Sequence, residues 1–450
     1  MAGPLEGLAN RVGLAQHSRA TPGMLRHMIS RLFSACLLLS AAVPAAAETL
    51  VVHAGRVITD AARRPLGPST ITVTDGKITG IADGFQSAPG GARVIDMRQK
   101  TVLPGLIDTH THLSGDPGGD YWRDAIDTDE WSAMLGAKNA RITARAGFTT
   151  VRDVGAPRDV IFALRRATAE GVVPGPRIVT SGSSISIIGG HADVSGFRPE
   201  VTEALQNRNT CTGPEQCAQR VREASRDGAD LIKITATGGV LSQQARGLGQ
   251  HFTDPELKAI VDTAHSLGLK VAAHAHSARG IEAAARAGVD SIEHGTFADA
   301  AALRAMKASG TVMVPTLMAF TGIREGLGRN AYTPPVAAKV RMTLDVVGNA
   351  ARAARAAGVP VVFGTDSSVY EHGRNAQEFA QLVDLVGMSP AEAIASATTA
   401  AAKLLGLENE VGRIAPGYSA DLIAVSGDPL QNVRALEKVD WVMVRGREMD

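Results

Sequence analysis

Hydrophobic positions along this chain follow three successive rhythms. From Glu48 to about Lys100, short apolar runs at 49–53, 70–74, 77–81 and 92–96 alternate with turn residues, and Asp75-Gly76 reads as a hairpin turn. In the middle of the chain the period changes. Apolar runs at 149–153, 177–181, 230–234, 270–274, 291–294, 311–315 and 359–363 read as strands, and the run before His110 makes eight. The stretches between them are rich in Ala, Arg and Glu at helical spacing, as at 255–267, 278–287 and 336–357, and several end in Gly just before the next strand (Gly147, Gly228, Gly268, Gly288, Gly310, Gly358). After about residue 412 the short strands return at 421–425 and 440–446.

Eight alternating units predict an α/β fold of the (β/α)8 TIM-barrel type over 105–412. Neither terminal β piece buries much alone, so 48–104 and 413–450 are expected to combine into one flanking β-sandwich. The helix-like stretch at 391–405 reads as packing.

Residues 1–47 stand apart. Arg26, His27 and Arg31 precede an apolar run at 32–43, and Ala45-Ala46-Ala47 before Glu48 has the small-residue pattern of a signal-peptidase site. The run is shorter than the roughly 20 residues that span a bilayer, so export with cleavage near Ala47–Glu48 is expected, to the periplasm or the exterior, with no stable membrane anchor. Met24 or Met28 is the more natural start of such a leader.

At 450 residues, 44% hydrophobic and 20% charged, the chain is long enough for one large core and an accessory module. Its net charge is +1, of which the leader contributes +3, so the remainder carries −2 and nucleic acid is not an expected partner. Cys36 falls in the leader. Cys211 and Cys217 flank a Gly-Pro turn, and a local disulfide is expected between them; a metal pair is disfavoured because no His or further Cys accompanies them.

Chemistry concentrates at the C-terminal ends of the expected strands, where barrels of this type carry their active sites. His110 and His112 leave one face of an extended segment together, because strand side chains alternate with period two. Lys233 lies in the fourth strand, His274 and His276 at the fifth, His294 at the sixth and Asp366 at the eighth. Imidazoles and a carboxylate suit zinc or another borderline divalent ion, and there are more of them than one tetrahedral ion needs. No Gly-x-Ser-x-Gly elbow is present, and Ser183, Ser184 and Ser186 lie in a loop read as pocket lining, which disfavours a serine hydrolase.

The segment 104–112, Lys233, His274, Ile292-Glu293-His294-Gly295 and Gly364-Thr365-Asp366 together resemble the binuclear metal-dependent amidohydrolase superfamily, over essentially everything after Glu48. The return segment 412–422 resembles the one by which such chains pass from barrel to sandwich. Within the superfamily, His274-Ala275-His276, the run 287–295 and the run 233–240 are similar to the Xaa-Pro and Xaa-Arg/Lys dipeptidase branch, which includes ochratoxin-hydrolysing amidases.

This resemblance implies roles. His110, His112 and Asp366 would hold the more buried of two zinc ions, His274 and His294 the more exposed one, and Lys233, carboxylated by carbon dioxide, would bridge both. An uncarboxylated ammonium has no lone pair with which to do so. Asp366 would act as proton carrier and His191 would bind the substrate carbonyl or carboxylate. His276 shares the face of His274 and could exchange roles with it, and Tyr370 and Arg374 follow Asp366 on a loop where either could bind a terminal carboxylate. His53, His251 and His265 read as structural or exposed.

The implied activity is hydrolysis of the amide bond to a C-terminal amino acid in dipeptides or N-acyl amino acids, ochratoxin A among them, by a homo-oligomer. Two alternatives stand beside it. One is hydrolysis of a cyclic amide or imidazolone. The other is a non-catalytic metal- or ligand-binding barrel, which would have no use for Asp366.

Overall fold

The computed structural model describes residues 48–449 apart from 119, 120, 207 and 244–246; the leader expected over 1–47 lies outside the described residues. Both ends of the described chain meet in one sheet. Strands β1 (Thr49–Val57), β2 (Ser69–Thr74), β3 (Lys77–Asp83) and β4 (Arg93–Pro104) are followed much later by β12 (Leu422–Val425), β13 (Val439–Val444) and β14 (Arg447–Glu448). Their order is β14-β13-β12-β4-β1-β2-β3, with β4 parallel to β1 and antiparallel to β12. This is a single hydrogen-bonded sheet of seven strands where two facing sheets were expected.

The sheet curls until its two hairpin turns touch. Asp75-Gly76 and Arg445-Gly446 both have positive φ at each turn residue, which matches the right-handed twist of the flanking strands. A Cβ placed on Gly446 would lie 2.6 Å from Gly76 Cα, so the turns meet as bare backbone. Leu50, Val52, Ile71, Val73 and Ile78 from one end then share a core with Leu422, Ala424 and Met443 from the other.

The chain leaves this sheet at Gly105 and enters β5 (Leu106–Thr111), which pairs in parallel with β6 (Phe148–Asp153), itself parallel to β7 (Arg177–Thr180). A second parallel sheet holds β8 (Leu231–Thr235), β9 (Lys270–Ala275), β10 (Ser291–His294) and β11 (Val312–Val314). Hydrogen bonds connect the two sheets along both edges. Ile185 N donates to Lys233 O and Thr235 N to Ile185 O on one side. On the other, residues 360–367 lie between β11 and β5: Met313 N bonds Pro360 O, Asp366 N bonds His110 O, and His112 N bonds Ser367 O.

The eighth strand expected at 359–363 is therefore present only as a bridge, Met313 to Val361. Pro360 has no N–H to continue a ladder. The helix expected over 336–357 is two, Pro334–Leu344 and Asn349–Ala357, because Gly348 between them is left-handed with φ 79°. The stretch at 391–405 likewise divides into Pro390–Ser396 and Thr399–Leu405. Helices Ala278–Ala287, Ala300–Ser309 and Asn349–Ala357 stop at left-handed Gly288, Gly310 and Gly358 as their spacing predicts. No described helix is long and apolar enough to cross a membrane.

Replacing Gly446 by Ala forces a side chain both into the left-handed region and against Gly76. We expect Gly446→Ala to lose about 2 kcal/mol of stability in urea unfolding. Gly417→Ala, with φ 88° but nothing within 4 Å of the added carbon, should lose about half as much. Equal losses would mean that the turns do not meet.

Candidate active site

The polar strand ends converge on one buried cluster. Period two puts His110 and His112 on one face at the end of β5, Lys233 and Thr235 on one face of β8, and His274 and His276 together at the end of β9. His294 closes β10 with φ 69°, and Asp366 has φ 62°. These are uncommon values for side-chain-bearing residues, and here they serve a purpose. Strand alternation alone would send Glu293 and His294 to opposite faces; the left-handed turn at His294 lets both reach His110. Glu293 Oε2 lies 2.7 Å from His110 Nδ1, and the His110 and His294 rings are 5.1 Å apart.

Most of these imidazoles are held from behind. His110 Nδ1 meets the Glu293 carboxylate, His112 Nδ1 the carbonyl of Gly155 at 2.6 Å, His276 Nδ1 the hydroxyl of Thr296 at 2.7 Å, and His294 Nδ1 that of Thr316 at 2.7 Å. Each contact fixes a ring and leaves its Nε2 free to face inward. Nε2 of His110 and of His112 lie 3.5 and 3.3 Å from Asp366 Oδ1. Two sets of three converging donors result, His274 with His276 and His294, and His110 with His294 and Asp366, each within 4.8 Å.

Burial holds the rings neutral, pushing His110 down to about 4 and His276 to about 3, with His274 and His294 also well below the usual imidazole range. Burial acts the same way on His112, but there the Asp366 carboxylate outweighs it and the pKa rises. For Asp366, burial opposes ionisation, yet His110, His112 and His294 overcome it and hold the carboxyl well below its usual range.

Lys233 is 4% exposed, and its side chain makes no hydrogen bond or ion pair among the described residues. Burial lowers its pKa to about 8. A core lysine kept for an ion pair would touch a carboxylate; Glu293, Asp366 and Asp153 act on this one electrostatically, but among the described residues none pairs with it directly. Converging imidazoles, all but His112 held neutral by burial, one ionised carboxylate and one lysine without an ion pair fit a pair of borderline divalent ions.

The cluster opens into a cavity of about 1540 Å³. His191 lines it from the loop after β7, its ring 4.3 Å from that of His274 and its Nδ1 2.6 Å from Ser242 Oγ. Ser183 and Ser184 line the cavity, whereas Ser186 is buried against Thr235 Oγ1. His276, ranked in the sequence as a reserve for His274, stands in the same donor set as it does.

Tyr370 and Arg374 correct the sequence reading. Ser368 and Val369 reach the cavity wall but these two do not: Tyr370 is 1% exposed in the core, and Arg374 is paired with Glu325 at 2.9 Å and Glu371 at 2.8 Å. Cys211 and Cys217 are joined by a disulfide.

A model of the amidohydrolase family matches residues 101–449. The chain belongs to the amidohydrolase family. Ochratoxinase of Aspergillus niger is 30% identical over 423 residues, covering 87% of this chain and 84% of the relative. Among solved structures, a Xaa-Pro dipeptidase with methionine bound in its active site superposes with a TM-score of 0.82 at 38% identity, over 89% of this chain and 99% of that one. A prolidase complexed with N-methylphosphonate-L-proline does so with a TM-score of 0.80 at 31% identity, over the same shares. This amidohydrolase is thus a hydrolytic enzyme, and its strand-end cluster is where the hydrolysis is to be sought.

Sequence reasoning quoted Glu293 only as part of a motif and did not pick out Arg152. In this amidohydrolase Arg152 Nη2 lies 2.8 Å from Glu293 Oε1, and both side chains are buried. Arg152 and His110 overcome the effect of burial on Glu293 and hold its carboxyl well below the usual range. Arg152→Met leaves that charge buried with one partner gone. A loss of about 3–5 kcal/mol is expected on denaturant unfolding, with reduced metal content by elemental analysis; a variant as stable and as metal-rich as the parent would show the pair to be dispensable.

Proposed function

We propose that this protein is a binuclear metal hydrolase, most naturally a zinc enzyme, that cuts the amide bond to a C-terminal amino acid in dipeptides or N-acyl amino acids, on a closed (β/α)8 barrel. The observation that carries the reading is the unpaired buried Lys233 standing among five ordered imidazoles and Asp366. Its free amine and carbon dioxide would give a carbamate and a proton, turning a residue with no lone pair to offer as an ammonium into a bidentate anion. The disulfide between Cys211 and Cys217 supports an oxidising compartment and hence export after cleavage near Ala47–Glu48.

Bound divalent ions would supply a water acidic enough to attack an amide at neutral pH and would polarise its carbonyl. His110, His112, His274 or His276, His294, Lys233 and Asp366 are the residues that would hold them. The remaining work falls to the chain itself. Asp366 takes the attacking water's proton and returns it to the leaving nitrogen. His191, neutral because burial pushes it down to about 3, presents Nε2 to the amide carbonyl oxygen. No covalent acyl-enzyme is needed.

The cavity walls suggest the amino acid. Several apolar side chains of the wall follow closely on a residue of the site. Val240 and Leu241 follow Gly239, against which His191 packs; Ala319, Phe320 and Ile323 lie on the helix that begins after Thr316; Val369 is three residues past Asp366. Most acids farther along the wall are already paired, Asp127 with Arg123, Asp227 with Arg158 and Arg226, and Glu223 with Arg220, and Asp129 lies in the first turn of the helix Asp129–Arg145. An apolar side chain is therefore favoured over Arg or Lys. The ochratoxinase and the methionine-bound dipeptidase support the same substrate class.

Release of free amino acid from a dipeptide and N-acyl amino acid panel, with zinc and bicarbonate, tests the activity. Lys233→Ala should lose activity together with metal, whereas Asp366→Asn should lose activity by about 10²-fold or more while keeping most of its metal. Turnover only of cyclic amides by metal-replete protein would refute the peptidase reading.

Within the same panel, substrates ending in Pro, Met or Phe should exceed those ending in Arg or Lys by about 10-fold or more in kcat/KM. The reverse order would mean that a charged part of the wall, not the apolar one, receives the side chain.

A further inference from the structure

A second buried lysine lies beside the cluster. Lys339, on the helix Pro334–Leu344, is 6% exposed, one residue before Val340 and three after Val336 in an apolar group with Val240, Phe320 and Ile323. A charged group in such a place is costly unless it is well hydrogen-bonded, and a Leu or Met would pack there at no such cost. Among the described residues its Nζ donates to the carbonyls Gly239 O at 2.9 Å and Ser242 O at 2.6 Å. Drawing these two oxygens to one point folds residues 239–242 into a tight loop.

That loop touches the site in two places. Ser242 Oγ is 2.6 Å from His191 Nδ1. Gly239 lies against the same ring, where a Cβ would come within 2.2 Å of His191 Cε1, so bare backbone is the only surface that fits. Unlike His110, His112, His276 and His294, which sit at strand ends, His191 comes from a loop, and its free nitrogen is useful only if the ring is held in one orientation.

We infer that Lys339 is a positioning residue: by gathering the carbonyls of Gly239 and Ser242 it holds the Ser242 hydroxyl against His191 Nδ1, so that the ring keeps its proton on Nε2, facing the cluster. The hydroxyl donates to Nδ1, and Nε2–H is then the donor to the amide carbonyl oxygen. The inference rests on the role given to His191 above. It places the control of that residue on a helix some 150 positions away in sequence.

Wild type, Lys339→Met, Ser242→Ala, His191→Ala and the double variant Lys339→Met with His191→Ala are to be compared by kcat and KM, by zinc content and by nitrogen NMR of the histidine rings. The signals absent from His191→Ala identify that ring. Lys339→Met and Ser242→Ala should each lower kcat about 10- to 100-fold, with KM and zinc content little changed. In the His191→Ala background Lys339→Met should add nothing. The His191 nitrogens should pass from a single Nε2-protonated form to a mixture. Should Lys339→Met fail to fold, Ser242→Ala carries the test, since it removes one hydroxyl and leaves the lysine contacts in place.

An equal further loss in the His191→Ala background, or a His191 tautomer unchanged in both single variants, would overturn the inference. The ring measurement needs no turnover. A wild-type protein that hydrolyses no linear amide would thus sink the proposed activity while the link from Lys339 to His191 is still decided by the tautomer.

Discussion

Glu293 is wholly buried, and a lone carboxylate there would be neutralised by its surroundings. It stays ionised because Arg152 lies 2.8 Å from one oxygen and His110 2.7 Å from the other. The same guanidinium bonds Thr109 O on β5 and Ser291 Oγ on β10. One charge pair therefore joins β5, β6 and β10, strands from both parallel sheets, beneath the point where the imidazoles meet. Removing either charge would leave the other buried and uncompensated, a far greater cost than the net worth of the pair. What the pair secures is orientation: with Nδ1 of His110 held by the carboxylate, its Nε2 points toward Asp366.

The backbone above this pair is held in unfavourable conformations, and local contacts keep it so. His294, Thr316 and Asp366 all have positive φ, at 69°, 47° and 62°. Asp366 N bonds His110 O at 2.8 Å, and the Thr316 hydroxyl meets His294 Nδ1. Beyond Thr316, Leu317 N and Met318 N donate to the two carboxylate oxygens of buried Glu378, satisfying the first turn of the helix Leu317–Gly328. The strained residues are thus each tied to another strand, to a ring of the cluster or to a helix start. Such strain is typical of sites where geometry is fixed before substrate arrives.

What could be read from sequence was whatever follows a local period. His110 with His112 and His274 with His276 are two apart and must share a face in an extended chain; the Asp75-Gly76 turn and the terminal glycines of several helices are equally local. The flanking module was visible as strands, but its closure through Gly76 and Gly446 depends on residues 370 positions apart. The inward reach of Glu293 was hidden because it needs a left-handed residue at His294 that alternation does not foresee. Tyr370 and Arg374 show the opposite failure: position after Asp366 suggested the cavity, while packing drew one into the core and two glutamates drew the other away.

Strand-end groups and loop groups are supported by different means. The imidazoles at strand ends inherit the rigidity of the sheets. His191 has no strand beneath it, and its loop is fastened at separate points instead. Asn209 Nδ2 donates to Ser184 O and Ala192 O on either side of it, Ser186 N bonds Asn209 O, and Cys211 N bonds Ser186 O. The disulfide closes this anchoring segment, with both cysteines buried in the main core. On the far side the loop at 239–242 presses on the ring. The strand-end cluster can therefore stay constant while His191 and the apolar wall beside it change with their loops.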